Sequence, residues 1–108
     1  LLPPYSLKAL AGSTTPGFAD AQGASAAFFE PNGMAVNASG EVFVADRLNH
    51  RIRKITSTGL VSTFAGSGNP GFLNDTGVAA EFENPNGLAL DSLGNLYVAD
   101  EANHCIRR

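Results

Sequence analysis

The sequence predicts an all-β chain built as two four-stranded blades of a β-propeller. Three observations predict it. The chain repeats with a period of 54 residues, Ala11-Gly12-Ser13 returning as Ala65-Gly66-Ser67. Each period holds four short segments rich in Val, Ile, Leu, Phe and Tyr, the composition of strands. Gly, Asn, Asp and Ser bound those segments, as tight turns require. Four antiparallel strands in a period of about 40–55 residues is the pattern of a propeller blade.

The period needs no gap. It carries Pro16-Gly17-Phe18 onto Pro70-Gly71-Phe72, Pro31-Asn32-Gly33 onto Pro85-Asn86-Gly87, and Asn49-His50 onto Asn103-His104. From residue 11 onward about half of the aligned positions are identical. The strands are expected at 5–10, 33–37, 41–46 and 51–55 in the first period, and at 59–64, 87–91, 95–100 and 105–108 in the second. Ala38-Ser39-Gly40 and Ser92-Leu93-Gly94 read as hairpin turns, with Gly in the left-handed conformation. Asp46–Asn49 and Asp100–Asn103 read as turns in which Asx side chains bond nearby backbone amides. Residues 21–29 and 76–83 can each make a helical turn that ends before Pro31 or Pro85.

Size and composition set further bounds. The chain has 108 residues, at most one ordinary domain, and 44% of them are hydrophobic, as in folded proteins. No apolar run approaches the roughly 18 residues of a membrane span, and no signal peptide is evident. The first residue is not Met, which leaves room for a longer precursor. Cys105 is the single cysteine, so it forms no intrachain disulfide and leaves the compartment open. The net charge of −3 argues against nucleic acid and acidic membranes as partners.

The order Pro-Asn-Gly-apolar-Ala-apolar, Gly-x-apolar-aromatic-Val-Ala-Asp, Asn-His-x-Ile-Arg resembles the NHL repeat, twice and in register. Phe43 stands where Tyr97 supplies the more usual Tyr, and Cys105 stands where Arg is common. The resemblance implies a six-bladed propeller with the Pro-Asn-Gly strand nearest the axis. Ala35 and Ala89 suit the crowded axis, and Phe43, Tyr97 and Ile52 suit the wider space outward. Some NHL propellers bind RNA on a basic crown, and some relatives are lyases or hydrolases with His-lined metal centres. This chain has neither a basic crown nor a His on an inner strand.

In the family order the outer strand follows the third. Residues 1–10 then hold an outer strand that completes a blade of a neighbouring chain. Residues 11–64 form the first blade with its long crown loop, and residues 65–108 a second blade lacking its outer strand. Unpaired edges and bare blade faces call for partners. Head-to-tail pairing of two-blade chains predicts a homotrimer, with a tetramer of eight blades as the variant. The rival reading is a fragment of a longer propeller.

The connections 11–32 and 65–86 are long, and long loops are usually functional. Phe18, Phe28, Phe72 and Phe82 are expected to pin them to the body. They contain no Lys or Arg; Arg51, Arg53, Lys54, Arg107 and Arg108 belong to the third strands, away from the channel mouth. The candidate binding residues at crown and mouth are Asp20, Glu30, Asn32, Asp75, Glu81, Glu83 and Asn86. Asn37 and Asp91 flank the inner strands as channel lining or as turn caps. Asp46, Asn49, His50, Asp100, Asn103 and His104 read as structural motif residues rather than bases or ligands. Cys105 reads as a packing residue. No catalytic residue, metal site or cofactor is expected. The function expected is a non-enzymatic scaffold that self-assembles and binds a protein or peptide. The alternative is a small-ligand or enzymatic site at the channel mouth.

Overall fold

The computed structural model of the chain describes residues 6–108. Short apolar segments build a first antiparallel sheet from β1 (Pro31–Val36), β2 (Val42–Asp46), β3 (Arg51–Ile55) and β4 (Val61–Ala65), in that spatial order. A second sheet contains β5 (Pro85–Leu90), β6 (Leu96–Asp100) and β7 (Cys105–Arg107), again in sequence order. The two share their register. Met34 faces Val44 as Leu88 faces Val98, and both inner strands carry an irregularity just after the proline. Gly40 and Gly94 close their hairpins at φ +82° and +85°, values that L side chains rarely adopt.

The long connections carry single 3-10 turns, Gly23–Ser25 and Gly77–Ala79, inside the spans expected to turn. Two more, Arg47–Asn49 and Glu101–Asn103, link the second and third strands of each sheet. No helix among the described residues is long and apolar enough to cross a membrane.

The core lies between the sheets. Ala45 and Ile52 of the first sheet pack with Val98 of the second and with Ala80 and Phe82 of the long connection that precedes it, all nearly or fully buried. The inner strands β1 and β5 come closest. A Cβ on Gly33 would stand 2.4 Å from the Asn86 carbonyl oxygen and 2.8 Å from the Gly87 Cα. Only glycine permits that approach. On the opposite face of the first sheet, Ala26, Val44, Ile55 and Val61 form a second cluster.

Of the expected leading strand, Tyr5 lies outside the described residues. Residues 6–10 are exposed and join neither sheet, and the Leu7 side chain is fully open to solvent. The sheet that this segment was expected to extend would belong to another copy of the chain.

Candidate functional site

Beneath each long connection a strand arginine turns inward. Arg53 of β3 is fully buried. Its Nη1 donates to Asp46 Oδ2 at 2.6 Å and to the Ala27 carbonyl at 2.8 Å. Its Nη2 donates to the Ala19 carbonyl and to Asp20 Oδ1, both at 2.8 Å. Phe18 and Phe28 lie against the guanidinium, with ring centroids 4.6 and 4.8 Å from its carbon. The planar fork thus binds two segments of one loop and is flanked by two rings, a task suited to arginine and not to lysine.

The second blade repeats the clamp. Arg107 donates to Asp100 Oδ2 at 2.6 Å, to the Glu81 carbonyl at 2.9 Å and to the Leu73 carbonyl at 2.7 Å. Phe72 and Phe82 take the ring positions. Asn74 accepts from Arg107 Nε at 3.1 Å, in the place that Asp20 holds in the first blade.

The Asx residues of the short turns were expected to bond nearby amides. Their side chains bond the distant loop instead. Asp46 Oδ1 accepts the Phe29 N–H at 2.8 Å and Asp100 Oδ1 the Glu83 N–H at 2.9 Å. Asn49 Nδ2 donates to the Gly17 carbonyl and to Asp46, and Asn103 Nδ2 does the same to Gly71 and Asp100. Neither aspartate makes a side-chain cap to its own turn. A buried carboxylate facing a buried guanidinium needs every lone pair occupied, and the loop amides supply the remaining donors.

His50 serves the joint between the two blades. His50 and His104 hold left-handed backbone at φ +53° and +56°. His50 Nδ1 accepts the Asn84 N–H of the next blade at 3.1 Å. Beside it, Arg51 donates to the Ser67 carbonyl at 3.1 Å and stacks 3.8 Å from the Phe18 centroid. Cys105, at the matching position, is half-buried.

The expected crown residues divide into separate groups. Glu30 approaches Arg47 at 3.6 Å, Arg47 approaches Glu101 at 3.7 Å, and Glu101 accepts from Asn86 Nδ2 at 2.7 Å. This polar chain runs from one blade to the other. Asn32 lies exposed near the start of β1. Asp20 is drawn outward, accepting from Arg53 and from Thr63 Oγ1 of β4 at 2.8 Å. Asp75 accepts the Thr76 N–H at 2.7 Å and lines the groove beside β7. The Glu81 side chain lies over Gly71, and Glu83 is held through its backbone. Asn37 and Asp91 cap their hairpins, each accepting two backbone N–H groups. Among the described residues no three His, Cys, Asp or Glu side chains stand close enough to share a metal ion.

The clamp residues Asp46, Asn49 and Arg53, with their copies 54 positions on, fall inside the spans of a known repeat model. The model of the NHL repeat matches residues 28–55 and 82–108. The chain belongs to the NHL repeat family. Protein SUPPRESSOR OF QUENCHING 1, chloroplastic, of Arabidopsis thaliana is 36% identical to this NHL chain over 89 residues, covering 82% of the chain and 8% of that protein. A putative phosphatase from Bacteroides thetaiotaomicron superposes with a TM-score of 0.80 at 29% identity, over 91% of this chain and 25% of that one. An auxiliary nutrient binding protein from Bacteroides ovatus superposes at 0.76 and 28% identity, over 86% of this chain and 25% of that one. The NHL chain therefore spans about a quarter of those solved structures and under a tenth of the plant protein.

Proposed function

We propose that the chain is a non-enzymatic NHL propeller module whose two blades act inside a closed ring. In the simplest ring three copies stand head to tail and make six blades. The ring is a scaffold, and its crown is an interaction surface. One comparison carries this reading. Ile52 is fully buried where the second blade covers the first, whereas Ile106, the same residue of the second blade, is 71% exposed. An apolar face of matching composition is left open at one end.

The other end offers the complement. Gly66 and Ser67 of the second blade receive His50 and Arg51 of the first. Their equivalents Gly12 and Ser13 border a cavity of about 370 Å³ with no such occupant. His104 and Cys105 of another copy would enter it, with His104 Nδ1 accepting the Glu30 N–H. The rim then displays Glu30 and Glu101, whose side chains are 62% and 50% exposed, to a basic protein or peptide.

Sedimentation equilibrium tests the ring. The expected mass is that of three chains, and Ile106→Glu is expected to reduce it to one. A single-chain mass for the unaltered protein overturns the three-copy ring. The second reading, in which further blades on the same polypeptide cover both faces, is favoured by the small share of its relatives that the chain spans. It predicts that single-chain mass.

A further inference from the structure

The loop that opens the second blade meets β3 at two glycines, and the repeat treats them differently. A Cβ on Gly66 would stand 2.7 Å from the His50 carbonyl oxygen and 3.0 Å from the Arg51 Cα. That obstacle is backbone, which every blade presents, and the first blade also has glycine there, Gly12. A Cβ on Gly68 would stand 2.5 Å from Arg51 Cζ and 2.7 Å from its Nη1. That obstacle is a side chain, and here the first blade has Thr14. The strand residue changes as well: 54 positions after Arg51 stands Cys105.

Neither change is neutral by itself. Arg51 donates to the Ser67 carbonyl at 3.1 Å, and its guanidinium lies 3.8 Å from the Phe18 centroid. A side chain on residue 68 would take the guanidinium's place and forfeit both contacts. Thr14 holds left-handed backbone at φ +70°, where Gly68 has +90°. A β-branched residue is strained in that region, so threonine is a costly replacement for glycine. The crown shows the same pairing in charge. Arg47 and Glu101 occupy one repeat position in the two blades, and they face each other across the joint at 3.7 Å. A joint between two blades of the same kind would set like charges together.

From these pairings we infer that the joint between blades is keyed by size and charge. Arg51 with Gly68 is one key. Thr14 belongs to the other. It accepts a preceding blade whose third strand opens with a small side chain and whose crown turn carries an acid, and the second blade, with Cys105 and Glu101, is of that kind. A blade of the first kind is refused there, because its guanidinium would meet the Thr14 side chain and its crown arginine would meet Arg47. Selection of this sort works through what it rejects. The key holds whether the neighbouring blade lies on another copy or on the same polypeptide. It rests on the proposed ring only in requiring that some blade precede the first.

The joint inside the chain tests the pairing, since Gly68→Thr with Arg51→Cys rebuilds the second key there. Circular dichroism melts under reducing conditions compare both single variants with the double one. Each single variant should melt below the unaltered chain, because each loses the Ser67 and Phe18 contacts. The double variant loses them once, so its drop should be clearly smaller than the sum of the two. Gly94→Thr separates collision from backbone strain. Gly94 is also left-handed, at φ +85°, but an added Cβ would meet nothing within 4 Å, so its loss should simply add to that of Arg51→Cys. Losses at residue 68 that add as fully as those at residue 94 overturn the key. If Gly68→Thr does not fold, Gly68→Ala carries the same comparison. A single-chain mass in sedimentation overturns the three-copy ring and leaves the key standing, because the tested pair lies within one chain.

Discussion

Arg53 and Asp46 meet at 2.6 Å with both side chains wholly out of solvent, and the same oxygen also accepts from Asn49. Arg53→Met should leave that carboxylate buried without its cation. A loss of about 3–5 kcal/mol is expected in urea denaturation, the usual cost of breaking a buried pair from one side. Arg53→Lys should not restore it, because one ammonium cannot span both loop carbonyls. Adding Asp46→Leu to Arg53→Met should not recover the loss, because the Phe29 N–H and Asn49 Nδ2 then lose their acceptor.

Gly33→Ala should destabilise the chain by about 1–3 kcal/mol, since its methyl would collide with the backbone of β5. Gly87→Ala is the informative control. Its nearest contact would be the Ala99 Cβ at 3.8 Å, so the lone chain should fold unchanged. In a ring Gly87 meets the next copy as Gly33 meets Gly87, so this variant should lose assembly alone. Circular dichroism melting and sedimentation read the two effects separately.

His50→Leu removes the acceptor for the Asn84 N–H and places a branched apolar residue in left-handed backbone. About 1–3 kcal/mol should be lost. His50→Asn tolerates that backbone and should lose less. Thermal melts of the pair check the order.

Two hairpin carboxylates titrate below their ordinary range. Glu41 is held down by the Asn37 amide and then by Lys54, and Asp91 by the Asn95 side chain and backbone. Because the folded values are depressed, their contribution is complete above the ordinary carboxylate range. It is lost as pH falls through the folded values. Both groups are partly exposed, so the effect should be small. Asp91→Asn, which installs the residue the first blade has at position 37, should flatten the acid limb of a stability–pH profile.

The strands were legible because their apolar runs and bounding glycines recur at a fixed offset, and Arg51–Ile55 falls where expected. The turn role of His50 was legible too, but not its partner in the next blade. What the sequence hid was the clamp. An arginine in an amphipathic strand reads as solvent-facing, and nothing local tells that Arg53 is buried and Lys54 is not. A signal did exist: Arg53 returns unchanged as Arg107, together with Asp46 and the paired phenylalanines, while Arg51 becomes Cys105. The partners of Asp20 were hidden for a related reason. Asp20 counts as a loop carboxylate by position, yet the arginine beneath it and Thr63 beside it claim both its oxygens.

Arg53 holds its loop at the base, by the Ala19 and Ala27 carbonyls, the Asp20 carboxylate and the Phe18 and Phe28 rings, and asks nothing of the exposed residues beyond them. A tether of that sort is indifferent to what the tip spells. The exposed pair Ala24–Ser25 could be randomised as a display library, with a rigid base inherited by every member.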